Sequence, residues 1–320
     1  SLEGALKEKN AGHAYLFVGT RGTGKTSIAR ILARELGASD SDTHEIDAAT
    51  YTSVDNIRAL REEALTMPFE SAKKVYVVDE VHMLSKSAFN AFLKLLEEPP
   101  SHVAFILATT ELEKVPETIQ SRCQVFTFKK PTQKVLTEMI TRVAKAEGFT
   151  LEKSSAELIA LLADGSFRDA HSILQKILSS SSDKKISVEE LITVTGAPRA
   201  EGIERTLTGL SSGNADVALK AVGEAVAQNS DIEVLLKILV QRMRILLMLR
   251  YAPDFGEELA KELSDADRDV LVKLSKESAS KINSETLRKL ILASIETGRS
   301  PIPELPLELA VMELAGNVSA

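Results

Sequence analysis

Residues 19–26 read GTRGTGKT, with the apolar run Ala14–Val18 before them and a helical pattern over Lys25–Leu36 after them. Few eight-residue stretches constrain a fold so tightly. A strand has to end, a loop has to turn over on Gly19, Gly22 and Gly24, and a helix has to begin at once. The loop's N–H groups then converge on an anion, and the positive end of the helix faces the same point. Such a loop is expected to hold a nucleoside triphosphate, ATP. Lys25 would reach its β- and γ-phosphates and the Thr26 hydroxyl would ligate Mg2+. Gly19, Thr20, Arg21, Gly22, Thr23, Gly24, Lys25, Thr26 and Ser27 form the expected cofactor-binding set. A glycine-rich turn that matches by accident is the plain alternative.

A loop of this kind needs a parallel sheet behind it, and the first 130 residues supply the pattern. Short apolar runs at Ala14–Val18, His44–Asp47, Val75–Asp79, Val103–Ala108 and Gln124–Phe128 read as five strands. Helical spacing lies between them at Val54–Thr66 and Ser87–Glu97, the last stopped by Pro99-Pro100. The runs at 75 and 103 are apolar enough to be buried on both faces, as in a parallel α/β sheet. From Pro131 the pattern is helical only. Thr132–Glu147, Ser154–Ala163 and Arg168–Ser179 predict a small bundle over 131–182, and Ser179–Asp183 with Lys184-Lys185 a polar connector. A second helical domain over 183–320 follows, with helices from Val188–Thr195 through Ala200–Ser211, Ala215–Gln228, Asp231–Tyr251, Asp265–Lys281 and Ser284–Glu296 to a short one after the IPELP segment. Lys129-Lys130-Pro-Thr marks the hinge between the two patterns.

The second component of the expected site is acidic and comes from VYVVDE. Carboxylates at the C-terminal tip of a buried parallel strand sit where such sheets bind ligands. Asp79 would support Mg2+, and Glu80 would orient and polarise the attacking water; two solvated loop carboxylates are the alternative. Thr110 ends the run FILATT and can bond to the water or the γ-phosphate, or serve a structural role. Arg168, in GSFRDA, opens a helix, where a cation needs an anionic partner. The γ-phosphate would be one; Asp164 and Asp169 are the others. Arg122, in SRC, has no role assignable from physics, and a surface salt bridge is the ordinary reading.

Composition excludes several classes. Apolar residues make up 44 % and charged residues 27 %, as in a globular protein. Val234–Tyr251 is the densest apolar run, but Lys237, Arg242, Arg244 and Arg250 interrupt it, so no membrane span is expected. Trp is absent and aromatics are few, which disfavours a base-stacking platform. Cys123 is the one cysteine, so neither a disulfide framework nor a cysteine zinc site is available, and a small buried hydrophobe in a cytosolic protein is expected. His13, His44, His82, His102 and His171 show no metal-ligand spacing, and no serine stands in a nucleophile elbow. The net charge of −7 divides into −2 over residues 1–180 and −5 over the rest. It does not decide about nucleic acid, because phosphate contacts need only local donors.

Taken together, HAYLFVGTRGTGKTSIAR, KVYVVDEVHMLS, LLEEPP, FILATTELEKVPETIQSRC and GSFRDA resemble the bacterial DNA polymerase III gamma/tau family, the ATPase motors of the clamp loader. The likeness runs from about Ala11 to PELPLELAV near residue 310. It implies an AAA+ P-loop NTPase with a parallel five-stranded sheet, a helical lid, and an all-α collar that assembles subunits into an open ring. It implies that Arg122 is an arginine finger for the neighbouring subunit, Arg168 the second sensor and Thr110 the first. It implies DNA-facing residues Thr50, Tyr51, Thr52 and Ser53, which carry hydroxyls and no basic group. The implied partners are other gamma/tau copies, delta, delta-prime, the sliding clamp and primer-template DNA bound through its phosphates.

Two departures are expected to matter. GASDSDTHEID joins the first helix directly to the second strand where the family inserts a four-cysteine zinc module, so no zinc is expected. The segment that packs against the adenine in the family is not found before Ser1, which leaves nucleotide affinity open. A non-hydrolysing delta-prime-like subunit, a Holliday-junction helicase motor and a replication factor C small subunit are the competing readings.

Overall fold

The computed structural model describes residues 12–51, 53–181, 184–261, 263–277 and 279–315. It divides into two compact units. One comprises 1–132 with 165–169, and the other 133–164 with 170–320.

The first unit is built on five parallel strands, β1 (Ala14–Val18), β2 (Thr43–Asp47), β3 (Lys74–Asp79), β4 (Val103–Thr109) and β5 (Gln124–Thr127), in the order β2-β3-β4-β1-β5. Every residue of β4 is buried, and only Asp79 at the tip of β3 is not, which explains their unbroken apolar runs. Side chains alternate between two cores. Tyr15, Phe17, Val75, Val77 and Ile106 face α1 (Lys25–Glu35), which buries Ala29, Leu32 and Ala33 against them. Leu16, Tyr76, Val78, Phe105 and Leu107 face α2 (Val54–Ala64) and α3 (Lys86–Glu97), where the Phe92 and Phe105 rings meet edge-on at 5.2 Å. Ser53 and Ser85 cap α2 and α3, accepting from the Asn56 and Ala88 N–H groups at 3.2 Å. The one-turn α4 (Glu117–Gln120) leads into β5. Cys123 is half-buried against the second core, and burial pushes its thiol up to about 12.

With β1 between β4 and β5, the chain leaves the centre of the sheet to form β2 at its edge. The C-terminal ends of β1, β3 and β4 therefore open onto a common crevice at the point where the strand order reverses. Gly19 is fixed there by donating its N–H to the Thr109 carbonyl at 3.1 Å.

The second unit contains α5 (Gln133–Ala146), α6 (Lys153–Leu162), most of α7 (Phe167–Ser180), α8 (Val188–Thr195), α9 (Ala200–Ser212), α10 (Ala215–Ala227), α11 (Ile232–Tyr251), α12 (Pro253–Ala260), α13 (Asp265–Lys276), α14 (Ser284–Thr297) and α15 (Leu305–Ala315). Its core gathers around α11, whose Leu235, Leu236, Leu239, Met243 and Leu246 are buried.

Three features depart from the expected pattern. Thr150–Leu151 (β6) and Lys185–Ile186 (β7) pair as a small parallel sheet where no strand was expected, the first between two expected helices and the second at the end of the expected connector; two residues each are too short to show an alternation. The helix expected to reach Lys281 ends at Lys276. Finally, α12 forms in PDFGEELA, where no helix was expected. Pro253 stands in the first turn, where a missing N–H costs nothing, and any Cβ on Gly256 would lie 2.3 Å from the Leu249 nitrogen of α11. Part of the expected connector, 182–183, lies outside the described residues. Among the described residues no helix is long and apolar enough to cross a membrane.

Candidate nucleotide-binding site

The loop 19–26 opens directly from β1 into α1. Gly22 and Gly24 hold φ of 76° and 94°, which side-chain-bearing residues rarely adopt. A Cβ on Gly22 would lie 2.0 Å from the Ser166 hydroxyl, and the Gly22 carbonyl accepts the Phe167 N–H at 2.8 Å. The start of α7, and with it Arg168, is thereby tied to the loop. Gly24 caps α1, no side chain among the described residues bonds to the first-turn N–H groups, and that turn contains no acidic residue. A helix N-terminus left open in this way has the chemistry of a phosphate cradle.

Lys25 is buried and donates its ammonium to the loop's own carbonyls, Gly19 at 2.7 Å and Thr20 at 3.1 Å. Burial draws it below its ordinary pKa, and Arg168 adds to that, while Glu80 and Asp79 pull the other way. Lys25 thus feels all three charges. Thr23 is buried too, its hydroxyl donated to the Thr20 carbonyl at 2.8 Å, whereas Thr20, Arg21 and Ser27 are exposed.

The acidic component meets the loop directly. Thr26 donates its hydroxyl to Asp79 Oδ2 at 3.0 Å, joining the first turn of α1 to the tip of β3. These two oxygens are the hard donors a Mg2+ ion takes, and they stand beside Lys25, so the residues present fit Mg2+ with a triphosphate. Glu80, next along, sits in the left-handed region at φ 47°, ψ 46°, with its N–H donated to Asp79 Oδ1 at 3.0 Å. Thr110 donates its N–H and its hydroxyl to Glu80 Oε2.

Arg122 lies beyond this group. Its guanidinium bonds to Glu97 Oε1 at 2.7 Å and to the Thr118 carbonyl at 2.8 Å, the salt bridge that plain chemistry expected. Among the expected DNA-facing residues, the Thr50 hydroxyl donates to the Asp47 carbonyl at 2.9 Å, Ser53 caps α2 and Tyr51 is exposed. Thr52 lies outside the described residues.

Sequence reasoning passed over His82, Thr109, Glu111 and Ser166. His82 lies against Thr109 and between Glu80 and Glu111, contacts that follow from β3 and β4 being neighbours. No linear spacing encodes that adjacency.

Comparison with known proteins agrees with this geometry. DNA polymerase III subunit tau of Bacillus subtilis (strain 168) is 40 % identical over 282 residues, 82 % of this chain and 50 % of that protein. DNA polymerase III subunit gamma/tau of Mycobacterium bovis is 32 % identical over 311 residues, 90 % of this chain and 53 % of that protein. The chain belongs to the DNA polymerase III gamma/tau family. It spans about half the length of these relatives. Within this gamma/tau-family chain, residues 38–132 also match the family model for DNA polymerase III, delta subunit. The Thermotoga maritima RuvB Holliday junction branch migration motor superposes with a TM-score of 0.52 at 21 % identity, over 73 % of this chain and 83 % of that one. At that identity the likeness is one of fold.

Proposed function

We propose that this chain binds ATP with Mg2+ and hydrolyses it as the motor subunit of the bacterial clamp loader. In that role it would open the sliding clamp and set it on primer-template DNA in the cytoplasm. The observation that carries the reading is the Thr26–Asp79 hydrogen bond, which unites the phosphate loop and the strand-tip acids in one site. Lys25 exchanges its carbonyl partners for phosphate oxygens, and the α1 N-terminus supports the same charge. Thr26 and Asp79 would hold Mg2+, which when bound would supply positive charge against the triphosphate. Glu80 accepts a hydrogen bond from the attacking water and draws its proton as the new O–P bond forms and the bond to ADP breaks. Thr110 orients Glu80, and Arg168 approaches the γ-phosphate from the start of α7.

In an assembled ring, Arg122 leaves Glu97 and enters the site of a neighbouring subunit. An arginine supplied in this way is worth roughly 10³–10⁵ in rate. Residues 131–182 act as the lid and 183–320 as the collar that joins gamma/tau copies, delta and delta-prime. Thr50, Tyr51, Thr52 and Ser53 contact DNA phosphates without reading bases.

The delta-subunit match over 38–132 favours a second reading, a non-hydrolysing structural subunit of the same ring. Lys25, Thr26, Asp79 and Glu80 argue against it. ATP turnover of the full-length protein assembled with delta and delta-prime, with and without clamp and primed DNA, separates the two. The motor reading expects turnover that rises with clamp and DNA and collapses in Arg122→Ala. Turnover indifferent to both would sink it.

A further inference from the structure

The Glu80 carboxylate is bordered by a ring that the chemistry above leaves without a role. His82 lies in the short 3₁₀ turn Val81–Met83, and its side chain is only 6 % exposed. Its Nδ1 is 3.4 Å from Glu80 Oε2 and 3.1 Å from Thr109 Oγ1. Its Nε2 is 3.2 Å from Glu111 Oε1. Glu111 is held in turn, donating its N–H to Thr109 Oγ1 at 3.0 Å and pairing its other carboxylate oxygen with Lys114 at 2.7 Å. The imidazole therefore links the turn after β3 to the turn after β4.

A ring nitrogen engaged by a fixed carboxylate sets the plane of the whole imidazole. Here the ring is held by the Nδ1–Thr109 Oγ1 hydrogen bond at 3.1 Å, with Glu111 Oε1 facing Nε2 at 3.2 Å, and the Nδ1 edge lies against Glu80 Oε2. That oxygen is enclosed by the Thr110 N–H at 3.2 Å, the Thr110 hydroxyl at 3.0 Å and His82. Oε1 of Glu80 has no hydrogen-bond partner among the described residues. One oxygen is thus anchored and the other left for water.

We propose that His82, oriented by Glu111 and Thr109, is the positioning residue that seats Glu80 with Oε1 turned toward the attacking water. The inference rests on the reading of Glu80 as the group that takes the water's proton. Misalignment of such a group lowers the rate of the chemical step while leaving ground-state binding in place.

The test measures ATP turnover, affinity for a non-hydrolysable ATP analogue, and Tm of the full-length protein in its assembled complex. The variants are His82→Ala, Glu111→Ala, Glu111→Gln and Glu80→Gln. In His82→Ala and Glu111→Ala, kcat is expected to fall about tenfold while KM and analogue affinity stay within about twofold. Glu111→Gln keeps an oxygen facing Nε2 and should stay within about threefold of the unmodified protein. An inactive Glu80→Gln beside a fully active His82→Ala overturns the positioning role and leaves that of Glu80 standing. Parallel losses of kcat and analogue affinity in His82→Ala assign the ring to packing and overturn the proposal as well. Should His82→Ala not fold, the half-exposed Glu111 decides, and unmodified turnover in Glu111→Ala overturns it. A fully active Glu80→Gln removes the reading of Glu80 and the inference with it.

Discussion

Thr110 gives both of its donors, the backbone N–H at 3.2 Å and the hydroxyl at 3.0 Å, to a single oxygen of Glu80. The residue at the end of β4 thereby sets the carboxylate at the end of β3. Thr110→Val removes the hydroxyl and keeps the N–H. It is expected to lower kcat about tenfold with little change in ATP affinity, as for other partners of a general base. Steady-state kinetics check this, and a raised KM at constant kcat would assign Thr110 to binding instead.

Lys25 bonds to two loop carbonyls that a phosphate would displace. Removing it in Lys25→Ala deletes a charge-assisted contact worth roughly 1.5–3 kcal/mol, so ATP affinity should weaken about 10- to 100-fold. Equilibrium titration with a fluorescent analogue measures the loss.

Gly22 and Gly24 separate two costs of adding a Cβ. At Gly24 no atom lies within 4 Å, so Gly24→Ala meets backbone strain of about 1–2 kcal/mol alone. At Gly22 the same strain is joined by a collision with Ser166. Gly22→Ala should therefore lower Tm more than Gly24→Ala, and Ser166→Gly should partly restore it. Calorimetry of the three proteins decides.

Asp42 is buried and accepts hydrogen bonds from the Phe69, Glu70 and Ser71 N–H groups and the Ser71 hydroxyl. Burial alone would raise its pKa, but these four donors together hold it well below the usual carboxylate range. The sign follows: a depressed native pKa gives stability that is complete above the unfolded value near 4 and fades as pH falls through the native one. Asp42→Asn should lower Tm at pH 7 and flatten its decline below about pH 4. A Tm–pH curve parallel to that of the unmodified protein would refute the assignment.

Arg242 is buried in the second unit, with Nη2 on Asp267 at 2.5 Å and, among the described residues, no hydrogen-bond partner for Nε or Nη1. Burial lowers its pKa, and Asp267 opposes that. Asp267 is partly exposed and also bonded by the Ser264 hydroxyl, so the pair responds unequally to its two deletions. Arg242→Met should be nearly neutral in urea unfolding, whereas Asp267→Ala, which strands the guanidinium, should cost about 3–5 kcal/mol.

How much of this was legible depends on what each residue needed. The loop, Asp79 and the five strands were legible because glycine, strand-tip acid and apolar run each carry their meaning locally. Arg168 beside the loop was legible only as a cation in want of an anion. The Phe167 bond to Gly22 that brings it there joins residues about 145 positions apart. The grouping of His82 with Glu111 was hidden for a related reason, since it exists only once β3 and β4 lie side by side. The helix α12 was missed because Pro253 and Gly256 break helices on average and are accommodated here by position and by close approach to α11.

Glu80 stands in a left-handed backbone conformation that a glutamate adopts only at a cost of about 1–2 kcal/mol. Glycine or asparagine would sit there at ease. A library of this chain selected for heat resistance alone would therefore accumulate those residues at position 80, and, on the proposed reading of Glu80 as the group that takes the water's proton, the toughest survivors would no longer hydrolyse ATP. Endurance and work are set against each other at this one residue, and any thermostabilised form of the protein has to be screened for both.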